Sequence, residues 1–350
     1  MIDLYSLNIE ELTDVAKQAG EPSYRAKQLF SAFACGKTVD EITNIPGKFK
    51  EHLKENYITN VLEILETKVS KEDGTTKYLY KLFDGNIIEG VLMSYKHGNT
   101  LCVSTQVGCR MGCAFCASGL DGLVRNLSAG EILAQIVVVN KLLGGDIKSR
   151  KITNIVLMGS GEPLDNYDNT IKFLDLVNDK DGINIGLRNI SLSTCGLAPK
   201  IKMLADSGYH VNLSLSLHAS NDEVRHDIMP VSRSYKIEEV IDAVKYYFNK
   251  TGRRVIIEYT LIKGINDKDI HAKELARLLK GIVCLVNVIK LNEVKEKDFV
   301  SPTRKEVYDF VEKLTQNRLE ATARRTMGDD IDGACGQLRK NYIKTTSSNK

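Results

Sequence analysis

Apolar and polar positions along the chain follow three successive patterns. Over residues 1–60 the apolar positions recur every three or four residues, in IEELTDVAKQAG, SYRAKQLFSAFACG and GKFKEHLKENY, with Pro22, Gly36, Pro46 and Gly47 as punctuation. That period predicts a small helical module. From residue 61 to about 106 the runs VLEILETKV, TKYLYKLF, NIIEGVLMSY and TLCVSTQ predict strands. Asp73-Gly74, Asp84-Gly85 and His97-Gly98-Asn99 supply hairpin turns between them, so this region is expected to be a β-meander. Farther along, helical and strand-like segments alternate: SAGEILAQIVVVNKLLG, TNIVLMG, NYDNTIKFLDLVND, RNISLST, APKIKMLADSG, VNLSLSLH, KIEEVIDAVKYYFNK, RVIIEYTLI, DIHAKELARLLKG, LVNVIKLNE, TRKEVYDFVEKLTQN and a closing EATARR.

Repeated βα units joined by short loops imply parallel strands with right-handed crossovers. About six units fit, fewer than the eight of a closed barrel. The expected fold is therefore α/β, a partial (βα)6 barrel with a small N-terminal helical accessory domain and a β-meander lead-in, its chemistry at the C-terminal strand ends. The expected domains are 1–60, 61–100 and 101–340, with 341–350 as a flexible tail.

Composition changes this picture little. With 43% hydrophobic and 27% charged residues in 350, the chain is no disordered polymer, and no run approaches the ~18 apolar residues of a membrane span. The opening MIDLYSLNIEELTDVAK is acidic and amphipathic, unlike a secretory signal or transit peptide, so a cytoplasmic location without a membrane partner is expected. A monomer is the expected assembly. The net charge of +3 is too small to specify a polyanionic partner. Basic groups at Lys148, Arg150 and Lys151, at Arg253 and Arg254, at Arg324 and Arg325, and at Arg339, Lys340 and Lys344 form a phosphate site only if the fold gathers them.

The eight cysteines are distributed unevenly. Cys109, Cys113 and Cys116 are packed into GCRMGCAFC, whereas Cys35, Cys102, Cys195, Cys284 and Cys335 are scattered. In a reducing compartment, clustered thiols read as metal ligands or redox groups before disulfides. The CxxxCxxC spacing can grip three corners of a cubane iron–sulfur cluster and leave the fourth iron open. A structural zinc would call for a fourth ligand, and no second CxxC or His pair lies nearby in the sequence. Gly161, Glu162 and Pro163 follow the strand TNIVLMG, where glycine admits a ligand to the backbone and a carboxylate can bind an ammonium. The triplet alone reads equally as a turn with a solvated glutamate.

CxxxCxxC after the first strand of a βα array resembles the radical S-adenosylmethionine (SAM) superfamily. LCVSTQVGCRMGCAFCASG, MGSGEPLDN, LSTCG, LSLHA and GDDIDGACGQL, in that order, resemble the RlmN/Cfr family of ribosomal-RNA adenine methyltransferases over nearly the whole chain. The resemblance implies a [4Fe–4S] cluster on Cys109, Cys113 and Cys116, and two SAM molecules per turnover. It implies that Gly161 and Glu162 meet the SAM amino group, that Ser193, Ser216, Leu217, His218 and Asn292 line the SAM pocket, and that Phe115 packs near the SAM adenine. It further implies that Cys335 is methylated by one SAM, and that a 5′-deoxyadenosyl radical from a second abstracts hydrogen from that methyl. The resulting methylene radical adds to C2 of an adenine, Glu89 acts as general base, and Cys102 frees the product through a transient disulfide with Cys335. The implied substrates are 23S rRNA at the peptidyl-transferase centre and certain tRNAs, and the implied reductant is an electron donor such as flavodoxin or ferredoxin.

Arg25, Lys27, Lys37, Lys48, Lys50 and Lys54 of the N-terminal module are candidate RNA contacts, although acidic residues alternate with them as on a solvated face. Cys35, Cys195 and Cys284 are expected to be apolar packing. Ser160, Cys195 and Lys290 depart from the family pattern, which carries Met, Ser and Pro there, without removing a charge or ligand. Two other functions stay open on sequence: a Cfr-like enzyme that methylates C8, and a non-catalytic iron–sulfur protein that binds RNA or transfers electrons.

Overall fold

The helical period of the first sixty residues is realised as α1 (Ile9–Gln18), α2 (Tyr24–Ala34) and α3 (Gly47–Asn56) in a computed structural model that describes residues 1–294 and 296–331. Cys335 and the expected tail lie outside the described residues. Asn8 starts α1 with a reciprocal cap: its side chain accepts the Glu11 amide at 2.9 Å and the Glu11 carboxylate accepts the Asn8 amide at 2.8 Å. The apolar faces of the three helices bury Leu12, Leu29, Phe30, Phe33, Phe49 and Leu53 in the same core that holds barrel residues such as Ile155, Leu192 and Leu213.

The strand-like runs of the next region form β1 (Leu62–Val69), β2 (Thr76–Leu82), β3 (Ile87–Tyr95) and β4 (Gly98–Cys102), each antiparallel to the one before. The chain then forms a ribbon of β5 (Gln106–Gly108) and β6 (Leu123–Asn126), followed by α4 (Ala129–Leu142). Alternation continues with β7 (Ile152–Leu157), α5 (Tyr167–Asn178), β8 (Ile190–Thr194), α6 (Ala198–Asp206) and β9 (Asn212–Ser216). After α7 (Asp222–Ile228) and α8 (Ile237–Thr251) come β10 (Val255–Leu261), α9 (Asp269–Leu278), β11 (Cys284–Lys290), α10 (Arg304–Gln316) and β12 (Ala321–Ala323).

One sheet runs through meander and barrel in the order β1-β2-β3-β4-β7-β8-β9-β10-β11-β12. β4 faces both ways, antiparallel to β3 and parallel to β7, so the boundary expected at residue 100 falls inside a strand. The six expected barrel strands are β4, β7, β8, β9, β10 and β11, and the closing EATARR adds β12 as a short seventh parallel strand. The sheet does not close on itself, so this is the expected open barrel. The expected strand TLCVSTQ is divided, ending as β4 at Cys102 and resuming as β5 at Gln106. Among the described residues no helix is long and apolar enough to cross a membrane.

Candidate functional site

Cys109, Cys113 and Cys116 lie on the loop between β5 and β6, and the backbone pins that loop at both ends. The Cys109 amide donates to the Gly122 carbonyl at 2.9 Å, and the Ala114 amide donates to the Ile228 carbonyl at the end of α7 at 2.8 Å. All three cysteines are half-buried and line a cavity of about 280 Å³ at the C-terminal ends of the barrel strands. Burial pushes the Cys109 thiol up to about 12, and Glu162 and Cys116 add to that rise. Cys113 is raised as well, chiefly by burial, while the buried Arg225 nearby opposes the shift. Such thiols become thiolates only beside strong positive charge, which metal ions supply.

The donor set fits a cluster better than a lone ion. Among the described residues no three His, Cys, Asp or Glu side chains converge on a single metal position, yet three thiols share one cavity. In the same wall the buried Ser118 hydroxyl has no hydrogen-bond partner among the described residues.

Opposite the cysteines, the loop after β7 turns sharply. Gly161 sits at φ 112°, and a Cβ there would stand 2.7 Å from the Gln106 amide nitrogen, so no other residue fits. This turn aims Glu162 into the cavity. Its Oε1 accepts the Leu164 amide at 3.0 Å and its Oε2 the Cys195 amide at 2.7 Å, while its own amide donates to Gln106 Oε1 at 2.9 Å. Burial raises the Glu162 pKa and the amide bonds oppose it. A carboxylate so fixed keeps lone pairs for a cationic ligand.

Ser193, next to last in β8, and Ser216, the last residue of β9, hold their hydroxyls 3.2 Å apart, and both line the cavity. His218 follows at φ 55°, and its Nδ1 accepts the Thr260 amide at 2.9 Å, which assigns the ring proton to Nε2. Burial, with a contribution from Arg225, lowers its pKa to about 3, so the imidazole is neutral. Phe115 meets the ring edge-on, with centroids 4.9 Å apart. Leu217 belongs to the core instead, and its amide donates to the Glu258 carbonyl.

The remaining expected residues stand elsewhere. Cys102 and Asn292 line an adjoining cavity of about 210 Å³, separated from the first by a shared wall of Met158, Ile289 and Arg324. Asn292 therefore groups with Cys102 rather than with the serines. Glu89 is buried on β3, 3.3 Å from Lys77 Nζ. Sequence reasoning passed over Glu258, a buried carboxylate in the cavity wall that pairs with Arg324 at 3.7 Å and accepts from Asn287 Nδ2 at 3.0 Å. The signal was a glutamate inside the apolar strand RVIIEYTLI. Cys195, expected to be only packing, does pack among Ile228 and Met229, but it also lines the cavity and holds Glu162 through its amide.

Residues 103–276 match the profile of the Radical SAM superfamily. Over 348 residues the chain is 52% identical to a Clostridium perfringens (strain 13 / Type A) protein named as a probable dual-specificity RNA methyltransferase RlmN, covering 99% of each. An Alkaliphilus oremlandii (strain OhILAs) protein of the same name is 51% identical over 345 residues, 98% of this chain and 99% of that one. The chain belongs to the RlmN family. A crystal structure of a radical SAM methyltransferase from Sphaerobacter thermophilus superposes on it with a TM-score of 0.91 at 41% identity, covering 96% of this chain and 99% of that one. As a radical SAM enzyme of the RlmN family it uses a [4Fe–4S] cluster and SAM. The half-buried thiols and the fixed carboxylate facing them suit those two groups.

Proposed function

We propose that this enzyme methylates C2 of an adenine in 23S rRNA, at the peptidyl-transferase centre, and of an adenine in certain tRNAs. Cys109, Cys113 and Cys116 would hold the cluster, which when bound supplies an open iron for SAM and the electron that cleaves it to a 5′-deoxyadenosyl radical. Glu162 binds the SAM ammonium, Gly161 gives it room, and Ser193, Ser216 and His218 shape the pocket, with Leu217 in the core behind them. The neutral His218 offers an Nε2 proton as a hydrogen-bond donor without adding charge. Cys335 would take the methyl group of one SAM as a thioether and pass that carbon to C2 of the adenine. Glu89 would remove the C2 proton, and the unpaired electron left on the adduct would return to the oxidised cluster. Cys102 would break the Cys335 carbon–sulfur bond by forming a disulfide, the released carbon taking up a proton; a reducing cytoplasm permits such a transient bond. Asn292 acts beside Cys102, in the adjoining cavity.

The observation that carries this reading is the meeting of three cysteines, a fixed carboxylate and the polar strand ends in one cavity, with Cys102 across a shared wall. The target base must leave its stack to be reached, which favours loosely structured RNA. In the N-terminal module, Arg25 is held by Glu21 and Gln28, and Lys50 and Lys54 by Asp40, so Lys27, Lys37 and Lys48 are the better phosphate contacts. The enzyme would work as a cytoplasmic monomer with a flavodoxin or ferredoxin as reductant. The deciding experiment incubates a defined 23S rRNA fragment with the wild type and Cys335→Ala and locates the methyl group by mass spectrometry. Methylation at C2 that Cys335→Ala abolishes, with its cluster intact, is expected. Methylation at C8 instead assigns the Cfr-like activity, and full activity of the variant removes the tethered methyl.

A further inference from the structure

A cleft of about 720 Å³ opens at the far end of the barrel, where β10 and β11 begin. Arg254, Lys273, Arg277, Lys280 and Arg318 line it against one carboxylate, Glu320. That is a local excess of four positive charges on a chain whose total is +3, so cations are gathered here beyond the average surface. Arg254 is engaged by Glu320 at 2.7 Å and by the Cys284 carbonyl at 3.0 Å. The other four cations are exposed and make no ion pair among the described residues. Lys273 and Arg277 lie on α9, Lys280 follows in the loop after it, and Arg318 stands just past the end of α10, a stretch that only the fold brings beside them.

The cleft connects to the candidate site along the open edge of the sheet. From Arg318 the chain climbs as β12, the last strand, with Thr322 exposed, and emerges at Arg324 and Arg325. Those two arginines and Lys290 line the cavity that holds Cys102, with Asp329, and also a neighbouring hollow with Arg304, Glu72 and Asp73. The seven residues of β11 that separate the two ends span roughly 23 Å at ~3.3 Å per residue. Two basic patches at that separation, one at each end of β11, fit a polymer that carries phosphates at intervals, where a free anion would need only one of them.

We infer that this cleft binds the phosphodiester backbone of the RNA substrate, about one strand length from the reacting base. The inference rests on the reading that RNA is the substrate. Phosphate contacts fix register and orientation and carry no sequence information, so the cleft strengthens binding and leaves the choice of adenine to the site above. Each contact releases counterions, which ties affinity to salt.

The test uses cluster-loaded full-length enzyme, a defined 23S rRNA fragment, and binding measured across a salt series. A double variant, Lys273→Glu with Arg277→Glu, reverses two exposed charges. Its melting temperature and its SAM cleavage without RNA should match the wild type. Its RNA affinity at low salt should fall about tenfold, with a log–log salt slope shallower by about one to two, at ~0.7 per phosphate contact on single strands. KM for RNA should rise while kcat holds. The charge-keeping pair Lys273→Arg with Arg277→Lys should bind like the wild type. Unchanged affinity and slope in the reversed variant overturns the inference, and so does equal weakening in the charge-keeping pair. Failure of the wild type itself to bind RNA would instead overturn the underlying reading of the substrate.

Discussion

Glu162 illustrates how much one side chain depends on its neighbours. Two amides, from Leu164 and Cys195, point at its two oxygens, so the group is fixed before any ligand arrives. Glu162→Gln removes the negative charge and turns an NH2 toward one of those N–H donors. SAM affinity is expected to fall by about 30- to 150-fold, as for roughly 2–3 kcal/mol of a hydrogen bond to a charged group. Calorimetric titration of the cluster-loaded variant measures it, and an affinity close to wild type would remove the ammonium role. Arg225 makes the complementary point: it is fully buried, donates to the Cys195 carbonyl at 2.6 Å and opposes the upward shift of the Cys113 thiol. Nothing in NDEVRHDI distinguishes such an arginine from a surface one, because its burial comes from the packing of α7 against the cysteine loop.

At the level of elements, the strand ends do the positioning. The periodicity placed β7, β8, β9 and β10 correctly, and the parallel topology then puts their C-terminal ends side by side. The short pieces were harder to read: β5, β6 and α7 run to 3, 4 and 7 residues, too few for a period to show. They are nonetheless what holds the cysteine loop in place. Gly161 shows the tolerance of such a turn. Gly161→Ala forces a β-carbon against the Gln106 amide at positive φ, a strain of about 1–3 kcal/mol. The melting temperature should drop by several degrees and SAM binding should weaken, since Gln106 also receives the Glu162 amide. An unshifted melting curve would mean that the turn relaxes freely.

Across the whole molecule, the chain beyond β12 is fastened back onto the meander. The Gly328 amide donates to Asp73 at 3.0 Å and the Lys71 amide to Asp330 at 2.9 Å, joining segments more than 250 residues apart. Burial raises the Asp73 pKa, but bonds from Thr75, Gly328 and Ser70 outweigh it and bring the value to about 2. A lowered folded-state pKa contributes stability that is present above the unfolded value of 3.8 and is lost as pH falls toward 2. Asp73→Asn should therefore lower stability at neutral pH and flatten its loss between about pH 4 and 2, read by denaturant unfolding at each pH. An acid profile identical to wild type would show that this fastening adds nothing.

By itself the sequence determined the order and type of the long elements, the open parallel barrel, and the cysteine spacing that needs a metal. These are local properties, set by side-chain period and by residues a few positions apart. Only the tertiary structure decided that Asn292 stands with Cys102, that Glu258 and Arg324 pair in the lining of one cavity, and that three separate stretches of chain pool their cations in one cleft. Such groupings join residues distant along the chain. They are fixed by the strand order of one twisted sheet and the packing of helices upon it, which no single stretch of sequence encodes.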